Sequence, residues 1–474
     1  MNVINKYGLS VYNVSVTFFV AIMFFLSMPV STMPLPFNGE EKELQQNYPR
    51  NISLTDKIYT FSTIWTEIKY NFVNIDHISF NPDSLYYATI PSVIGSKDDI
   101  EYYNTLRRFI CSFGDGHTAL LRTSDDTENC FDYVPDNIQN FGDKFYFTTI
   151  RKISGADSTL LGAEIVEIEG MPTLEYVQKF YFPYIAASTY NNKLLQVTKT
   201  MGEGIKGTYF KGKAKKLNGE IVSFSIERNG DATYTKDNAY WNIQKPVKRE
   251  AIDLVFEKDI ALLTINTFRE SVKTQIDSLM QIVNSKAKGL IIDLRNNGGG
   301  DTEIAQHLQK YLTKGDYFLS FGSQTRVNNA YDKSQGNYRK EYEDYYLEKA
   351  YQTEKPDTIF IENEIKRINC PVVILIGNYS FSACEDFLVN IYEVPNRPIL
   401  IGEETGGSTG APLVISNLPN KTLVRICTLR ILFPYSLKPF VNEGIHPDII
   451  VKENFEDFLL GKDKVLENAL KTFL

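Results

Sequence analysis

Two short stretches constrain this chain more than any others. Leu290-Ile-Ile-Asp-Leu294 is an apolar-flanked run that opens onto Arg-Asn-Asn-Gly298-Gly-Gly300-Asp301, and Val372-Val-Ile-Leu-Ile376 opens onto Gly377-Asn-Tyr-Ser380-Phe-Ser382-Ala-Cys-Glu385. A short, almost wholly apolar run that ends in a glycine turn and leads into helical periodicity is a strand buried on both faces. Around these runs lie a third strand at 260–265, a helix marked by Val272, Ile276, Leu279 and Val283, a helix from Ser382 to about Ile391, and a strand at 399–401. Strand and helix alternate from about residue 250 onward, which predicts an α/β core over residues 250–474.

A chain of 474 residues is longer than one ordinary core, so more than one structural unit is expected. Ser53-Leu-Thr-Asp56 opens a helix with Ile58, Phe61, Trp65, Ile68 and Phe72 three and four apart, and Ile100, Tyr103, Leu106 and Ile110 mark another. That second helix stops at Phe113-Gly-Asp-Gly-His-Thr118, so residues 51–130 read as an N-terminal helical unit. Residues 135–240 carry short β-like runs instead. Within them, Leu161-Gly-Ala-Glu-Ile-Val-Glu-Ile-Glu-Gly170-Met-Pro172 resembles the strand, turn and helix start of a PDZ domain. Such a fold binds peptides by adding a strand to its sheet edge; the plain alternative is a β-rich insert with no binding role.

Composition excludes several classes. Residues are 43% hydrophobic and 23% charged without low-complexity tracts, which is the profile of a packed protein. The net charge of −8 and the absence of a Lys/Arg cluster with interleaved aromatics argue against nucleic acid as a partner. Residues 1–32 hold an apolar run behind a start carrying only Lys6. This predicts a signal peptide or N-terminal anchor, and hence export, with residues 33–50 as a linker; membrane contact is expected only through that segment if it is retained. Cys111, Cys130, Cys370, Cys384 and Cys427 show no metal-ligand spacing, so neither metal nor other cofactor is expected; Cys111 with Cys130 is the one locally spaced pair.

Both strand-to-helix junctions have the makings of a site, because an α/β sheet builds its sites at the carboxyl ends of its strands. Consecutive glycines allow a tight turn with exposed amides, though a glycine turn by itself is often no more than a turn. A serine at a helix start is held exposed and benefits from the helix dipole, yet N-capping is its commonest task. Ser380 and Ser382 both compete for a nucleophilic role, and Cys384 is a chemical rival that packing would explain equally well.

Asp-Leu-Arg-Asn-Asn-Gly-Gly-Gly, Ser-x-Ser-Ala-x-Glu, Gly402-Glu-Glu-Thr-Gly-Gly407 and Gly444-Ile-His-Pro-Asp448-Ile occur here in that order. Together they resemble the tail-specific (C-terminal processing) serine peptidase family, and the likeness runs from about residue 55 to 452. The resemblance implies a multidomain α/β (α+β) protein with a ClpP/crotonase-like core, Ser382 as nucleophile, and an oxyanion hole from the backbone amides of Gly299 and Ala383. It also exposes a departure. The lysine-using branch carries its base where this chain has Glu403-Glu-Thr-Gly-Gly-Ser-Thr-Gly410, and no lysine occurs between Glu385 and Lys421.

A serine still needs a proton acceptor, and histidine has the suitable ordinary pKa. His77 lies in a polar loop, His307 in a helix after the glycine turn, and His446 at a position of the Gly-Ile-x-Pro-Asp motif that looks variable. His117 remains, and the tricorn-core branch of the family is similar in drawing a histidine from this region. That branch orients its histidine with a serine and a glutamate. Gly116 stands here where the serine is expected, and Glu443 is the best match for the glutamate. Asp115 stays without an assigned role, since neighbouring side chains seldom point the same way.

The expectation is therefore an exported serine endopeptidase that cleaves unfolded polypeptides or peptides through an acyl-enzyme, using Ser382, His117 and Glu443. A non-catalytic binding protein on the same scaffold is the alternative, supported by the missing lysine. A crotonase-like acyl-CoA enzyme shares the fold but fits neither export nor a serine before Ala-x-Glu.

Overall fold

In a computed structural model the protein is described over residues 48–152, 157–230, 240–244 and 249–474. The expected signal or anchor at 1–32 and most of the linker fall outside these residues. Among the described residues no helix is long and apolar enough to cross a membrane.

Helix α1 (Leu54–Asn71) starts where the sequence signal places it, with Ser53 Oγ accepting from Asp56 N at 3.0 Å. It buries Phe61, Ile64, Trp65 and Ile68, whereas Ile58 stays exposed. Helix α2 (Pro82–Gly95) and helix α3 (Asp99–Cys111) complete the bundle. Gly114, at φ 64°, terminates α3 in the left-handed conformation that suits glycine. The chain then turns through His117 into strand β1 (Ala119–Arg122).

The β-rich region follows, with β2 (Asn137–Phe141), β3 (Lys144–Arg151), β4 (Glu164–Ile168), helix α4 (Tyr190–Thr198), β5 (Tyr209–Lys215), β6 (Ile221–Glu227) and β7 (Tyr240–Asn242). Its strands run in the order β7-β3-β4-β5-β6 with β2 added on β3, and every pairing is antiparallel. The apolar faces enclose their own cluster around Phe145, Phe147, Ile165, Val197 and Phe210.

The α/β core begins with β8 (Ile252–Glu257) and β9 (Ile260–Ile265), then helix α5 (Lys273–Lys286), β10 (Gly289–Asp293) and helix α6 (Thr302–Leu312). After a long excursion come β11 (Val372–Ile376), helix α7 (Ala383–Tyr392) and β12 (Ile399–Gly402), and then β13 (Pro412–Ile415), β14 (Leu423–Cys427) and β15 (Ile449–Ile450). The main sheet is ordered β8-β9-β10-β11-β12-β15, parallel from β9 onward. Leu290, Ile291, Ile292, Ile374, Leu375 and Ile376 are fully buried, as the unbroken apolar runs require. Each such side chain contributes about 1.5–3 kcal/mol of burial free energy.

One joint matters for the site. Strand β1 pairs antiparallel with β14, placing Ala119 opposite Arg425 and Leu120 opposite Val424. The apolar cluster of the N-terminal helices accordingly includes Ile415, Leu418, Val424, Ile426 and Cys427 from the far end of the chain. The turn carrying His117 is thereby held against the core. All five cysteines are free thiols, so the locally spaced Cys111 and Cys130 are not bridged.

Candidate active site

The loop between β11 and α7 separates its two serines by environment. Ser380 is fully buried, donates to Leu294 O at 2.8 Å and accepts from Gly377 N at 3.1 Å, so its hydroxyl ties the two strand ends together. Ser382, one residue before α7, is partly exposed and caps nothing with its side chain. Its backbone stands at φ 59°, ψ −129°, a conformation that costs a non-glycine residue about 1–3 kcal/mol. Surrounding hydrogen bonds impose it: Ser382 N donates to Ser408 O at 3.1 Å, and Ser382 O accepts from Asp386 N at 3.1 Å as α7 begins. Cys384, the rival nucleophile, is buried, and burial pushes its thiol well above the usual range.

His117 is 1% exposed and its Nε2 lies 3.1 Å from Ser382 Oγ, within reach for proton transfer. Burial, and then the neighbouring Arg425 guanidinium, hold its pKa well below the ordinary value, so the ring is neutral and able to accept. The Phe381 ring stacks on it at 4.8 Å with planes 2° apart. Of the other histidines, His446 is exposed and His307 bonds Asp277 at 2.5 Å away from this loop. Lys421 pairs with Asp125 at the surface.

The partner on the other ring nitrogen was not foreseen from sequence. His117 Nδ1 lies 2.7 Å from Ser408 Oγ, and Ser408 is 4% exposed. A side chain on Gly116 would bring its Cβ to 3.2 Å from Ser408 Cβ and 2.9 Å from the Phe381 ring. The serine missing from position 116 is thus supplied from a loop almost three hundred residues later, and glycine at 116 makes room for it. Glu443 does not fill the orienting role expected of it. It is exposed, while the two ring nitrogens of His117 are engaged by Ser382 and Ser408. Its backbone lies against Gly407, where a Cβ would come within 3.0 Å of the Glu443 carbonyl.

Glu385 holds the Ser408 loop. This fully buried carboxyl group accepts from Thr405 Oγ1, from Gly407 N at 2.7 Å and from Ser408 N at 2.9 Å, and burial pushes its pKa up to about 8 against those donated bonds. Asp386 beside it accepts from Thr302 Oγ1 at 2.6 Å and from Thr409 Oγ1, linking α6, α7 and the same loop.

Gly299 meets its expectation only in part. It sits at φ 95°, and a Cβ there would stand 2.7 Å from both Phe381 O and Ser382 Cβ, so only glycine fits beside the nucleophile. Its N–H, however, donates to Asn297 Oδ1 at 2.8 Å. The Ala383 N–H is the first amide of α7 and has no acceptor within the helix. Near this loop a cavity of about 690 Å³ is lined by Asn137 and Gln139 of β2, Asn191 and Leu195 of α4, and Asn378 and Tyr379.

Among known proteins, residues 259–451 match Peptidase family S41. The carboxy-terminal processing protease CtpA of Bacillus subtilis (strain 168) is 23% identical over 222 residues, which are 45% of this chain and 40% of that protein. The chain therefore aligns with less than half the length of this curated relative. Mature CPAF complexed with lactacystin has a similar fold, with a TM-score of 0.66 at 13% identity over 89% of this chain and 97% of that one. A Parabacteroides merdae protein assigned to the peptidases gives 0.51 at 18% identity, over 90% and 98% of the respective chains. At these identities the structural likeness establishes the fold. His117 lies outside the residues matched to the family, so its role rests on geometry.

Proposed function

From a chain whose residues 259–451 match peptidase family S41, we propose a serine peptidase of the tail-specific kind with Ser382 as nucleophile and His117 as general base. The observation that carries this reading is the 3.1 Å separation between His117 Nε2 and Ser382 Oγ. His117 Nε2 takes the Ser382 proton as Oγ bonds to the peptide carbonyl carbon. The tetrahedral oxyanion accepts from Ala383 N–H, aided by the start of the α7 dipole, and from Gly299 N–H once that amide leaves Asn297 Oδ1. The imidazolium then protonates the leaving amine as the C–N bond breaks. Water, deprotonated by the same nitrogen, adds to the acyl carbon, and the imidazolium returns that proton to Ser382 Oγ as the acyl C–O bond breaks.

The proposed substrates are unfolded polypeptides or peptides. Two features support this: the antiparallel β-rich sheet, which suits capture of an extended chain, and the cavity between that sheet and residues 377–379, which lead to Ser382 without Ser382 or His117 lining it. Export is proposed from the apolar run in residues 1–32.

Hydrolysis of an unstructured protein such as reduced, alkylated casein tests the activity. The wild-type chain is expected to cleave it and to be labelled by a fluorophosphonate, and Ser382→Ala to do neither. His117→Ala is expected to lower kcat about 10²- to 10⁴-fold. Full activity in Ser382→Ala would refute the assignment, and an unlabelled, inert wild-type protein would favour the binding-protein alternative.

A further inference from the structure

We infer that Asp115, acting through Ser408, is the carboxylate that positions His117, in the place where Glu443 was expected. The inference deepens the peptidase reading and rests on it. A neutral imidazole has one N–H, and Nε2 can accept the Ser382 proton only if that hydrogen is on Nδ1. Nδ1–H then needs an acceptor, and Ser408 Oγ stands 2.7 Å away. A hydroxyl that accepts still has its own hydrogen to place. Asp115 Oδ2 lies 3.5 Å from Ser408 Oγ.

Every donor is then used once: Ser382 Oγ–H to His117 Nε2, His117 Nδ1–H to Ser408 Oγ, and Ser408 Oγ–H to Asp115 Oδ2. The reverse direction leaves the hydrogen on Nε2 and leaves the nucleophile without a base. The 3.5 Å contact is long, as catalytic hydrogen bonds often are before substrate arrives, and it shortens when positive charge forms on the ring. In the reaction Asp115 Oδ2 only accepts and Ser408 keeps its hydrogen, so the only proton moved is the one from Ser382 to Nε2.

The local chain explains how a residue two positions from His117 reaches its far side. Gly114 at φ 64° reverses the backbone, and Asp115 Oδ1 accepts from His117 N at 2.9 Å, curling the carboxylate beneath the turn. Asp115 is 4% exposed. The titratable and charged groups facing it are Arg425 and Cys427 of β14 and His117 itself, while Glu385 faces Ser408 from α7. Burial pushes the Asp115 carboxyl above its usual range; hydrogen bonds from Thr118 and His117 N, and then the buried Arg425 guanidinium, which donates to Gly116 O at 2.7 Å, act against that push.

The chain has only four histidines, so ¹⁵N-histidine labelling of the full-length protein resolves the His117 ring directly. At neutral pH the wild type is expected to show the Nδ1–H tautomer. Ser408→Ala and Asp115→Asn are each expected to shift it toward Nε2–H and to lower kcat about 10- to 100-fold, with KM held within about twofold. Ser408→Ala keeps the backbone amide that Glu385 binds, so it remains informative if Asp115→Asn folds poorly. A wild-type Nε2–H tautomer, or an unchanged tautomer and kcat in both variants, overturns the relay. Fluorophosphonate labelling of the wild type separates the outcomes: labelling with the wrong tautomer sinks the relay alone, whereas no labelling and no hydrolysis sinks the peptidase reading, and the tautomer still decides the relay.

Discussion

Ser382 occupies a backbone conformation that glycine would adopt at no steric cost, and this separates the chemical role of its side chain from its structural cost. Replacing it with alanine removes the hydroxyl and keeps the strain; replacing it with glycine removes both. Ser382→Gly is therefore expected to be more stable than Ser382→Ala by about 1 kcal/mol, net of the extra freedom glycine gains in the unfolded chain. Thermal or urea unfolding of the two inactive variants measures the difference, and equal stability would mean that the strain is absorbed elsewhere. At this scale the sequence already separated a serine before Ala-x-Glu from its neighbour, but only by motif. The physical distinction is that Ser380 Oγ is consumed by Leu294 O and Gly377 N, leaving Ser382 as the hydroxyl that faces His117.

Among the elements, α7 and the loop after β12 form one device, with Glu385 as its clamp. Burial holds this carboxyl at about 8, above its ordinary 4.5, so the folded chain keeps a proton there that the unfolded chain releases. The stability linked to this group is fully present below about pH 4.5 and is lost as pH rises through about 8. Glu385→Gln cannot titrate, and its stability is expected to vary less than wild type's between pH 6 and 9 when unfolding midpoints are compared; parallel curves would exclude the linkage. His117 acts in the opposite sense, because its depressed pKa gives stability that is lost as pH falls below the 6.5 of the unfolded chain. The helices and strands themselves were legible, since Ser53, the glycine turns and the apolar periods act over a few residues. That Glu385 points back to grip residues 405–408 was not legible, because a glutamate in the first turn of a helix reads equally well as a solvated dipole partner.

Across the whole molecule, the N-terminal helices share an apolar cluster with residues 415–427, so the base and the nucleophile come from opposite ends of the chain and meet only when both ends are folded together. Export belongs to this scale as well. If residues 1–32 direct the chain out of the cytoplasm, the protein recovered outside it is expected either to lack them by intact mass or to remain with the membrane fraction; a full-length, soluble cytoplasmic product would contradict export. The sequence by itself determined the α/β core, the two glycine-bearing junctions, the order of motifs and the segment holding Ser382, because each is written in contiguous residues whose periodicity and turn chemistry act locally. Tertiary structure alone decided that His117 lies 3.1 Å from Ser382 across 265 positions, that Ser408 reaches His117 across 291 positions where Glu443 was expected, and that the Gly299 amide is turned onto Asn297. Contacts so far apart in sequence leave no periodic trace; they follow from β1 pairing with β14 and from the space that Gly116 leaves open.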